Sequence, residues 1–217
     1  MHIKFFQGGF DKNLSYLIWC SSTKITALVD ASVEITPIVE YIDLQGLMLE
    51  KILITHTHFD HIKYLEDLKN QFPQVQVCGH PQPEEKLAEN YRGLNHREIL
   101  SLGTEMLSAL HTPGHYSDSL SFWNKMEDSL FTGDTMFVGR AGRTVSSMSN
   151  ISQLYKSIYT ELLPLPDETM IYPGHHYGYT PSVTLKENKS LSPFFQCSSE
   201  EEFIKVMEAF EKNRRIR

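Results

Sequence analysis

Four short apolar runs in this chain each stop abruptly at histidine or aspartate, and that repetition limits the folds open to it. Ile52-Leu-Ile-Thr runs into His56, His58, Asp60 and His61. Ser108-Ala-Leu-His-Thr-Pro-Gly ends at His115, Asp128-Ser-Leu-Phe-Thr-Gly at Asp134, and Met170-Ile-Tyr-Pro-Gly at His175. In the last three a Gly or Pro breaker precedes the polar residue. If the runs are buried strands, all four loops can open at one sheet edge, where ligand sites of layered α/β proteins form.

The first run is the densest. In extended backbone, residues i and i+2 share a face, so His56 and His58 point into one pocket. As the chain turns toward a helical run at Ile62, Asp60 and His61 reach an adjacent point, which makes two neighbouring metal positions the natural reading. Imidazole and carboxylate are donors suited to zinc, iron and manganese. A lone histidine beside a strand is ordinarily structural. Four such side chains within six positions make a metal site the expectation, and His115, Asp134 and His175 then become candidate ligands.

In these motifs the chain resembles the metallo-β-lactamase superfamily, whose His-x-His-x-Asp-His signature is followed by a distant His, Asp and His. Thr-Pro-Gly-His115, Phe131-Thr-Gly-Asp134-Thr and Tyr172-Pro-Gly-His175-His-Tyr are most similar to glyoxalase II (hydroxyacylglutathione hydrolase) and its short bacterial relatives. The resemblance implies an α/β fold, the αββα four-layer sandwich. It implies two divalent ions, with zinc first and iron or manganese as alternatives. His56, His58 and His115 would hold one, Asp60, His61 and His175 the other, and Asp134 would bridge them. His175 is preferred to His176 because the family ligand follows the Gly directly; His176 is then expected to line or orient the pocket. Two ions about 3.5–4 Å apart can lower the pKa of a shared water toward about 7 and polarise a carbonyl. Asp60 and Asp134 would act catalytically by orienting that nucleophile, and a thioester suits the chemistry because a thiolate leaves readily.

The substrate is a small thioester by the same resemblance, with glutathione as a candidate thiol. Arg143 falls on the basic glutathione-contacting position and Tyr177 on the tyrosine of the family's Gly-His-x-Tyr phrase. Ala141 and Val145 depart from the expected Cys and aromatic residue. Persulfide dioxygenases share the ligand pattern but use one Fe(II), here on His56, His115 and Asp134, a triad suited to oxygen activation. β-Lactam chemistry is disfavoured because those enzymes usually carry Cys at the position of Asp134. A net charge of −7 and scattered cations argue against a nucleic-acid partner.

With 217 residues, 41% of them hydrophobic, the chain can bury one core. No linker divides it, so residues 1–217 read as one domain, with 183–217 a short C-terminal helical extension. Met1-His-Ile-Lys-Phe-Phe opens no signal peptide or membrane span. Three widely spaced cysteines, Cys20, Cys78 and Cys197, fit reduced thiols and a cytoplasmic protein. The sequence carries no signal for an oligomeric state.

Strands are expected at 2–6, 14–19, 26–30, 51–55, 75–78, 106–110, 119–123, 129–132 and 169–172. Helices are expected at 36–45, 62–70, 84–91, 150–162 and 200–212. Ile151, Leu154, Ile158 and Leu162 form one apolar stripe, and Phe203, Val206, Met207 and Phe210 another. Ser199 with Glu202 reads as a capping box. His111 is expected behind the ligands, Arg140 either on substrate or on an exposed loop, and Arg214-Arg-Ile-Arg217 in a solvated tail.

Overall fold

Alternation along the first strands builds two cores at once. The computed structural model describes residues 1–214; residues 215–217, with the end of the arginine-rich tail and of the 183–217 segment, lie outside the described residues. The first sheet runs in sequence order: β1 (His2–Gly8), β2 (Asn13–Trp19), β3 (Ile25–Val29), β4 (Met48–Leu53), β5 (Gln76–Gly79) and β6 (Arg92–Gly93). The β1–β2 and β2–β3 pairs are antiparallel and the remaining pairs parallel. Every residue of β2 is buried, because Leu14, Tyr16 and Ile18 face the second sheet while Leu17 and Trp19 face the helices.

The second sheet comprises β7 (Glu98–Leu102), β8 (Glu105–His111), β9 (Leu120–Asn124), β10 (Ser129–Gly133), β13 (Met170–Pro173) and β14 (Val183–Thr184), ordered β14-β13-β10-β9-β8-β7. A small hairpin, β11 (Met136–Phe137) with β12 (Arg140–Ala141), follows β10. Phe122 and Phe131 of this sheet meet Tyr16, Val29 and Leu53 of the first in the inter-sheet core. On the far side of the first sheet, α1 (Thr36–Gln45) and α2 (Leu65–Gln71) bury Ile38, Ile42, Leu65 and Leu68. On the far side of the second, α3 (Ile151–Lys156), α4 (Leu185–Leu191) and α5 (Glu200–Arg214) cover Leu130 and Ile171. The order of layers is therefore αββα.

Helix α1 begins on Pro37 in its first turn and ends at Gly46, whose φ of 59° lets its N–H reach the Asp43 and Ile42 carbonyls. The 150–162 stripe is buried at Leu154, Ile158 and Leu162, but the helix widens into a π-turn over Ser157–Leu162. Three differences from the sequence expectations have physical causes. Residues 84–91 form no helix: Leu87 is anchored alone, Glu84 N–H turns to Asp118, and Asn90 donates to the Val75 carbonyl. β7 was not expected, although Leu100 and Leu102 alternate with exposed Ile99 on this edge strand. The capping box is split, since Ser199 Oγ accepts from Glu202 N–H while the Glu202 carboxylate reaches back to Ser198 instead of Ser199. Within the 183–217 segment, β14 pairs with β13, and Phe203 and Met207 are buried against the second sheet.

Candidate metal centre

The loops after β4, β8, β10 and β13 open on one side of the sandwich and bring seven donor side chains together. Ile54 N–H still pairs with the Cys78 carbonyl; beyond it the chain leaves the sheet and turns, with His61 N–H donating to the His58 carbonyl at 2.9 Å. The donor atoms of His56, His58 and His115 lie within 4.8 Å of one another, and so do those of Asp60, His61 and His175. A third such group, His56, His61 and Asp134, overlaps both. Asp134 Oδ2 lies 3.6 Å from His115 Nε2 and 3.3 Å from His175 Nε2, and its Oδ1 lies 3.3 Å from His61 Nε2. Asp60 Oδ2 approaches His175 Nε2 at 3.4 Å.

Hydrogen bonds behind the rings decide what the rings present inward. His115 Nδ1 donates to the Arg143 carbonyl and His175 Nδ1 to the Asp11 carbonyl, each at 2.8 Å. His61 Nδ1 donates to Asp30 Oδ2 at 2.8 Å. Thr55 Oγ1 gives its own proton to Asp30 Oδ2, so toward His56 Nδ1, 3.2 Å away, it can only accept. All four rings thus turn an Nε2 lone pair to the interior. The two lone pairs of His61 and His175 face each other at 3.3 Å, and His58 Nδ1 lies 2.9 and 3.0 Å from those of His56 and His115. Such an arrangement is repulsive unless a cation or proton lies among the nitrogens. Asp134 Oδ1 is buried with no hydrogen bond, although His61 Nε2 lies 3.3 Å away. A Cβ on Gly174 would collide with that oxygen and come within 2.6 Å of His61 Cε1. The residues fit divalent metal in donor type, protonation and clearance.

Electrostatics agree with this fit. Burial and the neighbouring His61 hold His56 well below its usual value, and burial with His115 pulls His58 down to about 4. Burial opposes charge on His61, yet Asp134 and Asp30 hold it well above normal. Burial also disfavours ionised Asp134, but His175 and His61 outweigh it and keep the carboxyl well below the usual range. The pocket therefore attracts positive charge between Asp134 and its flanking rings.

A family model described as the metallo-beta-lactamase superfamily matches residues 8–175 of this chain. The chain belongs to that superfamily. Among relatives, it is 36% identical to the hydroxyacylglutathione hydrolase of Bartonella quintana over 78% of this chain and 65% of that one. It thus spans slightly less than two thirds of that relative. It is 32% identical to the hydroxyacylglutathione hydrolase GloC of Haemophilus influenzae, over 88% of this chain and 95% of the relative. Among solved structures, ETHE1 from Myxococcus xanthus is similar at a TM-score of 0.86 and 32% identity, covering 96% of this chain and 90% of the other. TTHA1623, solved in a di-iron-bound form, is similar at 0.75 and 25% identity, covering 88% and 99%.

In this metallo-β-lactamase superfamily member five of the seven donors, His58, Asp60, His115, Asp134 and His175, floor a cavity of about 220 Å³, whose walls include Arg140, Arg143, Phe137 and Tyr177. Three larger hollows, of about 600 Å³ beside α2, 530 Å³ beside α5 and 410 Å³ beside His96 and His111, lack such converging donors among the described residues. The Arg143 guanidinium makes a bidentate pair with Glu211 of α5, Nε and Nη2 each donating to one carboxylate oxygen at 2.8 Å. Tyr177 stacks on His175 and donates to Asp11 Oδ2 at 2.6 Å. Arg140 is no exposed bystander: its guanidinium lies 3.5 Å from the Tyr177 ring centroid. His176 does not line the cavity and instead contacts Gln7 Oε1. His111 is also displaced from its expected role, stacking on His80 and contacting the Ser117 carbonyl.

Sequence reasoning missed the supports. Asp30, 1% exposed, binds Thr55 and His61 together. Its signal was present, since Thr26-Ala-Leu-Val-Asp30 repeats the pattern of apolar run then carboxylate. Buried Asp118 accepts from Thr57 N–H at 3.3 Å and Thr57 Oγ1 at 2.5 Å, between two ligands. Asn13 Nδ2 donates to Asp60 Oδ2 at 2.9 Å. Neither residue carried a local sequence signal.

Proposed function

We propose that this protein is a cytoplasmic, metal-dependent hydrolase of small thioesters, glyoxalase II-like, working with two divalent cations, zinc foremost. The observation that carries the reading is the set of inward lone pairs and the buried Asp134 between them. His56, His58 and His115 would hold one cation and Asp60, His61 and His175 the other, with Asp134 between the two groups. Bound there, divalent cations would supply a hydroxide nucleophile at neutral pH and polarise the thioester carbonyl.

The chain does the rest. Asp60 and Asp134 orient the nucleophile by accepting its hydrogen bond, and Asn13 keeps the Asp60 carboxylate turned to the site. Arg143 and Tyr177, in the cavity wall, contact the thiol arm. A thiolate leaves without a proton donor, and the cavity needs none. The name shared by the Bartonella and Haemophilus relatives supports a glutathione-derived thiol, and the di-iron form of TTHA1623 supports a paired centre. Three buried, unpaired cysteines accord with a reducing compartment. Among the described residues no helix is long and apolar enough to cross a membrane. Net charge disfavours nucleic acid as substrate.

The likeness to ETHE1 gives weight to a second reading, a persulfide dioxygenase with one Fe(II) on His56, His115 and Asp134. Metal analysis combined with thioester-hydrolysis and oxygen-uptake assays separates the two. The hydrolase reading expects two metals per chain, hydrolysis without oxygen uptake, and loss of activity with second-site metal in Asp60→Ala. One iron per chain, oxygen consumption and full activity in Asp60→Ala would overturn it.

A further inference from the structure

Phe10 and Phe59 stand out among the exposed apolar side chains, being 77% and 64% exposed. Leu44 and Met126 are equally exposed but line none of the cavities described above, and scattered surface apolar residues are ordinary. The two phenyl rings instead meet edge to face at 6.0 Å in the wall of the metal cavity. They come from different places: Phe10 from the β1–β2 turn, Phe59 from between His58 and Asp60. Phe10 is fastened to the Asp60 end of the site, and the Phe59 ring meets it there. Asn13 accepts the Phe10 N–H at 3.1 Å and donates to Asp60 Oδ2, which approaches His175. Arg143 is fastened to the other end through its carbonyl on His115 Nδ1.

We propose that Phe10 and Phe59 form an apolar subsite for the acyl arm of the thioester, so that this enzyme prefers apolar, uncharged acyl groups. The proposal rests on the thioesterase reading. A carbonyl held over the donors has two arms. The thiol arm, where it carries carboxylates, belongs with the guanidinium of Arg143 on the His115 side. The acyl arm then falls across the phenyl pair, where covering two exposed rings is favourable. Asp11 and Asp60 flank the same end and repel an anionic acyl group.

The test uses the metal-loaded protein with S-acetyl- and S-phenylacetyl-glutathione, and calorimetric binding of the inert thioethers S-methyl- and S-(2-phenylethyl)-glutathione. The phenyl members should be favoured at least tenfold in both kcat/KM and affinity. Phe10→Ala and Phe59→Ala should each reduce that preference about fivefold, Phe59→Leu should retain most of it, and Leu44→Ala should not change it. An unchanged preference in both alanine variants, with hydrolysis intact, overturns the subsite and leaves the thioesterase reading standing. Failure of the metal-loaded wild type to cleave either thioester overturns the thioesterase reading and the subsite with it.

Discussion

The first sheet delivers four of the seven donors from one six-residue turn; the second sheet delivers three from three separate loops, one apiece. Their supports differ as well. In the early turn, His61 is backed by the carboxylate of Asp30, His56 by Thr55 and through it the same carboxylate, and Thr57 by Asp118. His115 and His175, from the second sheet, are backed by backbone carbonyls of Arg143 and Asp11. A dense turn packs several rings and their lone pairs into little space, and one buried carboxylate, Asp30, serves His61 directly and His56 through Thr55. A single histidine on its own loop can be set by whichever peptide carbonyl its neighbours bring. The early turn should therefore be the side on which one distant side chain controls metal affinity.

Asp134 belongs to neither pattern, since it touches rings from both sheets, and its loss should have the largest effect. Asp134→Ala should remove both metals and lower hydrolysis by about three orders of magnitude or more, on the scale of losing metal-assisted catalysis. Retention of two metals on elemental analysis would show that Asp134 is no bridge. Asp30→Asn tests the asymmetry itself. It keeps the size but removes the charge behind His61, and should weaken metal binding about 10–100-fold. If competition against a chelator finds wild-type affinity, carboxylate backing is not what distinguishes the early turn.

Protons sharpen the comparison further. His61 and His175 are both raised, the first by Asp134 and Asp30 and the second by Asp134, in each case against burial. His56 is held well below normal by burial and His61, and His58 down to about 4 by burial and His115. Below the raised values the metal-free protein carries protons on His61 and His175, which metal must displace; His56 and His58 are already neutral at pH 7. Metal uptake at pH 7 should release protons, and affinity should fall as pH falls. Calorimetry in buffers of different ionisation enthalpy reads this directly, and no proton release with pH-independent affinity between pH 8 and 6 would refute it. The smallest effect is expected at the wall, where Arg143 already shares its charge with Glu211. Arg143→Ala should raise KM for an anionic thiol-derived substrate several-fold, a surface-like electrostatic effect, and less for a neutral thioester. Equal changes would remove Arg143 from substrate recognition.

The same contrast explains what could be read in advance. The early turn was legible because its chemistry is local: His56, His58, Asp60 and His61 violate what a strand-to-helix loop ordinarily contains. His115, Asp134 and His175 were legible only as a series, each ending an apolar run with a breaker. The stripe Leu154, Ile158, Leu162 and the stripe Phe203, Met207 announced helices because burial of one face recurs with the helical period. Residues 84–91 misled for the complementary reason, since helix-tolerant residues there have no continuous apolar face and their polar groups found partners elsewhere.

By itself the sequence determined the layered α/β character and the identity of the candidate donors, because both are written in short-range patterns of apolarity, breakers and ligand chemistry. Tertiary structure alone decided that Asp30 stands behind His61, that Arg143 is clasped by Glu211, that Arg140 covers Tyr177, and that Phe10 meets Phe59. These pairs are separated by between 31 and 68 residues along the chain. No local pattern encodes such separations; they exist because two sheets, stacked to bury their apolar faces, carry the ends of distant strands to one edge.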